Sequence, residues 1–319
     1  MDSFRAISQH KGEANPTRIR RMEASALDWR HAIVLKPSLQ ILLAGKKASC
    51  SRFSYDENWL AIGNDCGEIE SFYQVHRVAD GGHAFTLKPN GRQRWPCTAL
   101  CFRPSTTTFS TRNVIVSCDV GGQIHHWHAL SGKHLGTIQE ADNQLYAIDI
   151  QETGLKYATA GVDTKVRIYD EVTRKLLHTL NDGNGKTSAG HTNRVFSVHW
   201  HPTDENVVVS GGWDNTVQEW DYGSARLICN LDWRDNHPCR VYSAKYGRFP
   251  SQRVIGAGGS GSNEACLLDL DTHQVLALLS ELEKAVCSVS FSPFGNLLAV
   301  TTTNIVFVIE LMDMLLTYK

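Results

Sequence analysis

Apolar residues in this chain come in short runs separated by turn-forming residues, and the clearest set lies between Gly190 and Asp221. Three runs occur there, Val195 to Trp200, Val207 to Ser210 and Thr216 to Trp220. The first gap carries Pro202-Thr203-Asp204 and the second Gly211-Gly212-Trp213-Asp214. Short β-branched and aromatic runs bounded by such turns predict antiparallel strands. The same succession recurs along the chain, in repeats beginning near Lys47, Pro96, Gln144, Arg194, Arg240 and Ala285, at intervals of 45–50 residues. In this alignment the first run ends on a large residue each time: Phe53, Phe102, Ile150, Trp200, Tyr246 and Phe291. Three positions earlier stands a small one: Cys50, Ala99, Ala147, Ser197, Ser243 and Ser288. A small side chain there lets neighbouring units approach closely, while the large one fills the wedge between them.

The fourth repeat opens with Gly190-His191 and closes with Trp220-Asp221. In this it resembles the WD40-repeat family, whose unit is the four-stranded blade of a β-propeller. The resemblance covers roughly residues 32–312, strongest in the third and fourth repeats and degenerate at the ends. It implies an all-β fold, a WD40 β-propeller of four-stranded antiparallel blades over residues 28–319, preceded by a flexible polar arm at residues 1–27. Six repeats are recognisable. Two further runs, Ala32 to Leu35 and Leu39 to Leu43, flank Lys36-Pro37-Ser38 and read as a strand hairpin. Assigning that hairpin to a degenerate blade of its own predicts seven blades. The alternative is a six-bladed ring that the hairpin merely closes.

The resemblance also implies a hydrogen-bonded set inside each blade. Carried onto the fourth repeat, its members are His191, Ser210, Asp214 and Trp220, and the turn aspartate recurs as Asp163, Asp119 and Asp65. Such a set is physically consistent, because a buried carboxylate needs a partner, an imidazole can bridge it to a hydroxyl, and an indole supplies a donor. Ser, His and Asp are also the members of a catalytic triad. The resemblance places these three within a blade and away from any cleft, so no catalytic residue is expected. His125, His126 and His128 surround Trp127, but on a strand only His126 and His128 share a face. No cysteine or carboxylate completes a metal set around them. Residues 182–187 end in Gly-Lys-Thr, yet Leu180 stands where a phosphate loop requires glycine. The run Gly256 to Ser262 reads as a loose turn. Neither metal nor cofactor is expected.

Charge narrows the partners. Lys+Arg total 32 and Asp+Glu 33, a net charge of -1, so no global field draws the chain to nucleic acid or to a membrane surface. Nine cysteines, an odd number with no CxxC pair, sit mostly in apolar runs and read as buried, reduced thiols of an intracellular, cytoplasmic protein. No apolar run approaches the ~18 residues of a membrane-crossing helix, and the first residues lack the apolar core of a signal peptide. Function is therefore expected at the surface: a non-enzymatic scaffold or adaptor that binds protein segments on the propeller face and channel mouth. The candidate face comprises Lys47, Tyr146, Arg194, Trp213, Arg240 and Tyr242, with Phe196 among its aromatics. Arginine beside aromatic residues is the composition of binding hot spots. One alternative is a structural subunit of a large assembly, cytoskeletal, ciliary or other. A ubiquitin-ligase substrate receptor is another, although Tyr222-Gly223 and Glu171-Val172 depart from that class's x-Arg pair after the third strand. A propeller enzyme is the alternative of a different class.

Overall fold

The computed structural model describes residues 5–7, 19–23, 47–65, 73–88, 95–104, 113–183, 188–232, 239–247, 253–292, 295–303 and 305–311, and every regular element among them is a β-strand. The six repeats are six antiparallel sheets that succeed one another along the chain. Their inner strands are Lys47–Phe53, Cys97–Phe102, Leu145–Ile150, Val195–Trp200, Cys239–Tyr246 and Val286–Phe291. Each of these six packs beside the next, and all of them line one axial cavity. Blades one to four have four strands each, and the sixth has three among the described residues. The fifth blade also has its own four strands. Ile19–Glu23 then joins its outer edge, parallel to Gln274–Ser280, and Arg5–Ile7 pairs with Ile19–Glu23. These two added strands fall within the stretch expected as a polar arm. Among the described residues the fold is a β-propeller of six blades. The hairpin expected at residues 32–43 lies outside the described residues, as do residues 312–319.

Every inner strand carries a β-bulge at the same place. The register against the second strand slips between Ala48 and Cys50, Cys97 and Ala99, Leu145 and Ala147, Val195 and Ser197, Val241 and Ser243, and Val286 and Ser288. A bulge inserts one unpaired residue and breaks the two-residue alternation of side chains. Burial follows accordingly. In the third and fourth blades the half-buried positions are Tyr146 and Asp149, and Phe196 and His199, three residues apart, with the rest of each strand buried.

Blade contacts use the small and large positions of the alignment. Ser197 Oγ donates to the carbonyl of Ala244 at 3.0 Å and accepts its N–H at 3.0 Å. Ser243 Oγ accepts the N–H of Val289 at 3.1 Å in the next blade. Trp220 is fully buried among Ala158, Ile168 and Leu180 of the third blade and Val195, Trp200 and Val208 of its own. Ion pairs tie further neighbours, a buried one from Arg103 to Glu171 and a half-buried one from Arg253 to Glu219.

The glycine-rich run differs from its expected form. Rather than a loose turn it is most of the strand Val254–Gly261. Glycine is depleted in strands, but a Cβ on Gly258 would lie 2.6 Å from Val286 Cγ1 of the sixth blade, and one on Gly259 would lie 1.8 Å from the carbonyl oxygen of Arg240. Close approach of the neighbouring strands, not turn formation, selects glycine here. At the other side of the sixth blade, Phe307 points into the core while Val306 and Val308 are exposed by 55% and 52%. The inner strand of the first blade is likewise open, with Phe53 exposed by 60%. These two open flanks are where the described ring is least covered.

Candidate protein-interaction face

Four groups of the fourth repeat meet inside its blade. His191 Nδ1 donates to Asp214 Oδ2 at 2.9 Å, Nε2 lies 2.8 Å from Ser210 Oγ, and Trp220 Nε1 donates to the same hydroxyl at 2.8 Å. Asp214 also accepts the N–H of Thr192 at 2.9 Å and the hydroxyl of Thr216 at 2.8 Å. Burial pushes the Asp214 carboxyl up, but these bonds and the His191 imidazole outweigh it and hold it below the usual carboxylate range. Ser210 is 0% exposed, so its hydroxyl cannot meet a substrate and the set acts as framework.

The second and third blades solve the same problem with different residues. In the second, Trp127 Nε1 donates to Ser117 Oγ at 2.9 Å, and His125 of the third strand supplies the imidazole, 3.2 Å from Asp119 Oδ2. Asp119 ends the strand Val114–Asp119 and Asp65 ends Trp59–Asp65, so neither sits in the turn that Asp163 and Asp214 occupy. The third blade has no imidazole in its set. Glu140 takes the central place, accepting from Thr159 Oγ1 at 2.7 Å, Tyr169 OH at 2.9 Å, Asn143 Nδ2 at 2.7 Å and Arg167 Nη1 at 2.8 Å. Arg167 also donates to Asp163 Oδ2 at 2.5 Å. The remaining histidines of the Trp127 cluster diverge: His126 packs edge-on to Tyr157 at 5.4 Å, and His128 meets Ser131 Oγ at 2.7 Å. Burial pulls His126 down to about 3, which keeps it neutral.

Outside the blades, the bulge residues of three successive inner strands converge at the upper mouth, where those strands begin. Tyr146 stacks on Phe196 with ring centres 4.4 Å apart and planes 9° apart. Phe196 stacks on Trp213 at 4.7 Å, and Tyr242 meets Trp213 edge-on at 5.8 Å. Trp213 comes from the turn after the second strand, its backbone N–H held by the carbonyl of Arg194 at 2.8 Å. The guanidinium groups of Arg194 and Arg240 lie 5.7 and 5.4 Å from the Trp213 ring centre, within cation–π range. All four aromatics are half-buried and both arginines exposed. Five of the six candidate face residues thus form one cluster over blades three to five, with Phe196 at its centre. Lys47 belongs to the first blade, paired in register with Asp65; the side chains of both lie outside the described residues.

A second constellation lies at the lower mouth, where the inner strands end. The last-but-one residue of each strand, Arg52, Cys101, Asp149, His199, Lys245 and Ser290, lines an axial cavity of about 760 Å³. Sequence reasoning missed this ring, although the repeat alignment puts its members in one column, because they share no residue type. Asp149 accepts the N–H of Trp200 at 2.9 Å, and His199 Nδ1 accepts that of Tyr246 at 3.4 Å. Burial raises the Asp149 carboxyl. The charge of Arg52, together with burial, lowers the Lys245 ammonium to about 7, against an opposing pull from Asp149.

Residues 175–221 match the family model described as WD domain, G-beta repeat. Target of rapamycin complex subunit LST8 from Saccharomyces cerevisiae is 28% identical over 196 residues, which cover 60% of this chain and 58% of the relative. The protein of the same name from Bos taurus is 28% identical over 181 residues, 57% of this chain and 52% of the relative. Cell division cycle 20.4, cofactor of APC complex, from Arabidopsis thaliana is 25% identical over 224 residues, 54% and 50% of the two chains. The chain therefore spans little more than half the length of these relatives. Among the described residues no helix is long and apolar enough to cross a membrane.

Proposed function

We propose that this β-propeller, one of whose repeats matches the WD domain, G-beta repeat model, is a WD40-repeat protein that works as a non-enzymatic scaffold, gripping segments of other proteins at its upper mouth. The observation that carries this reading is the joined cluster of Tyr146, Phe196, Trp213 and Tyr242 under the two arginines. Half-buried aromatic rings offer apolar area at little entropic cost, and arginines beside them add donors with fixed geometry. The partners in this reading are proteins, not nucleic acid or membrane, and the place of action is the cytoplasm.

Membership of a stable assembly is the second reading, favoured by relatives whose names include a complex subunit and a complex cofactor. Both readings use the same face, and size-exclusion chromatography of native extract separates a stable subunit from a transient adaptor. The test of the face is co-purification with the double variant Trp213→Ala, Arg240→Glu, with folding checked by circular dichroism. Partners retained by the native chain should be weakened by at least about 30-fold, as for a central hot spot worth ~2 kcal/mol. Retention of every partner by the folded double variant would show that the upper mouth is not the docking face.

A further inference from the structure

Successive inner strands meet through a repeated contact, and the first junction makes it with different atoms. At the junction of the fourth and fifth blades, the small residue Ser197 is paired in register with Gly211. Val241 of the fifth blade, the residue before that blade's bulge, covers the glycine, where a Cβ would lie 2.6 Å from Val241 Cγ1. At the junction of the fifth and sixth blades, Ser243 is paired with Gly258, and Val286 covers it in the same way. At the junction of the first and second blades the small residue is Cys50, paired with Gly63, and the covering residue is Cys97. A Cβ on Gly63 would lie 2.5 Å from Cys97 Sγ and 2.6 Å from Cys50 Sγ. The two sulfurs are 3.4 Å apart, and neither is in a disulfide. The remaining aligned pairs are Ala99 with Leu145 and Ala147 with Val195, so none of the other junctions between successive blades sets two thiols together. Packing at this place needs one small and one apolar side chain. It does not need sulfur in both.

We propose that Cys50 and Cys97 are an oxidation site, at which hydrogen peroxide forms a reversible disulfide that staples the first blade to the second. Cys50 is the thiol that meets the oxidant, being half-buried where Cys97 is 2% exposed. The thiolate is the reactive form of cysteine. A hydrogen bond from Cys97 holds the Cys50 thiol below its ordinary range against the upward push of burial, helped by Ser49, the backbone of Gly63 and the charge of Arg52. In Cys101, Cys118, Cys229, Cys239 and Cys266 burial prevails and pushes the thiol up. The Cys50 thiolate attacks the peroxide, so that an S–O bond forms, the O–O bond breaks and the leaving hydroxide takes up a proton as water. The sulfur of Cys97 then attacks Cys50 Sγ, its proton going to the sulfenic hydroxyl, and the S–O bond breaks as a second water leaves. Two thiols thereby lose two electrons and two protons, and the peroxide is reduced to two waters. A dithiol reductant restores both thiols by exchange. The sulfurs need only close from 3.4 Å to the ~2.05 Å of a disulfide. The bridge fastens the first blade, whose inner strand is open at Phe53.

The test treats the reduced full chain with hydrogen peroxide, blocks the remaining thiols with N-ethylmaleimide in guanidinium, and maps the unreduced digest by mass spectrometry. A cross-linked peptide joining Cys50 to Cys97 is expected, and dithiothreitol should separate it. Fragmentation distinguishes Cys97 from Cys101, which share a tryptic peptide. The oxidised chain should also melt at least ~3 °C above the reduced one, because the bridge restrains the unfolded chain. Two variants copy other junctions of the ring and so keep its packing: Cys97→Val, as at Val241, and Cys50→Ala, as at Ala147. In Cys97→Val the bridge is lost and Cys50 remains as a sulfenic acid, which dimedone labels. In Cys50→Ala, Cys97 is recovered as the maleimide adduct. The exposed Cys287 is the competing thiol. Oxidation that falls on Cys287 while Cys50 and Cys97 are both recovered as maleimide adducts overturns the proposal and leaves the pair as packing. A mapped bridge with no rise in Tm overturns its role as a staple.

Discussion

The third and fourth blades occupy equivalent places and hold their edges together with unlike chemistry. The fourth uses an imidazole between carboxylate and hydroxyl, His191 between Asp214 and Ser210, under the indole of Trp220. The third puts Thr159 and Tyr169 in the hydroxyl and aromatic positions and replaces the imidazole by the Glu140 carboxylate, charge-balanced by Arg167. What both sets provide is a buried hub whose donors and acceptors are all engaged. The identity of the hub is free, provided that its charge and hydrogen bonds close locally. The fourth blade sets one carboxylate, Asp214, against His191, whereas the third sets two, Glu140 and Asp163, against Arg167.

That contrast can be broken at its hub. Glu140→Ala removes the acceptor for four donors and leaves Arg167, 14% exposed, with Asp163 as its remaining partner. Loss of one member of a buried pair costs ~3–5 kcal/mol, and urea unfolding should show a decrease of that size. A decrease below about 1 kcal/mol would mean that the third blade does not depend on its hub. In the fourth blade, Ser210→Ala strips both the indole of Trp220 and His191 Nε2 of their hydroxyl partner. Stranding a buried polar group costs ~1–3 kcal/mol, so the same assay should report a smaller loss than Glu140→Ala; the reverse order would upset the comparison.

The smallest effect concerns pH. The Asp214 carboxyl is held below its ordinary range in the folded chain. Its contribution to stability is therefore fully present above the unfolded-state value, about 3.9, and is lost as pH falls below that toward the folded value. Asp214→Asn should lower stability at neutral pH and flatten the fall below about pH 4, as read by thermal unfolding at stepped pH. A variant whose acid profile parallels that of the native chain would remove Asp214 from the account of acid sensitivity.

The comparison also separates what the sequence displays from what it hides. Strand runs, the repeat interval and the fourth-blade set were legible because each is written in local residues at family-typical spacing. Trp213, Arg194, Arg240, Tyr146 and Tyr242 could be grouped from the alignment, and the structure brings them into contact. Glu140 and Arg167 escaped notice because a hub made from a carboxylate and a guanidinium shares no residue type with one made from an imidazole. The strand at Gly256 to Gly261 was misread because the reason for its glycines lies in Val286 and in the backbone of Arg240, on strands packed against it. Likewise the lower ring, from Arg52 to Ser290, shows itself as the lining of one cavity only when six unlike residues are seen around one axis.

The repeated bulge has a further consequence. Without it, a strand's residue at the upper mouth and the one three places later at the lower mouth would point to opposite sides of the sheet. The extra residue resets that parity, so each inner strand offers one side chain to each end of the axis. The two ends become separately editable collars on a common frame. Along the third and fourth inner strands, two buried residues separate the half-buried one at each end. A ring built this way carries two sets of side chains, one at each end of its axis, on a common frame.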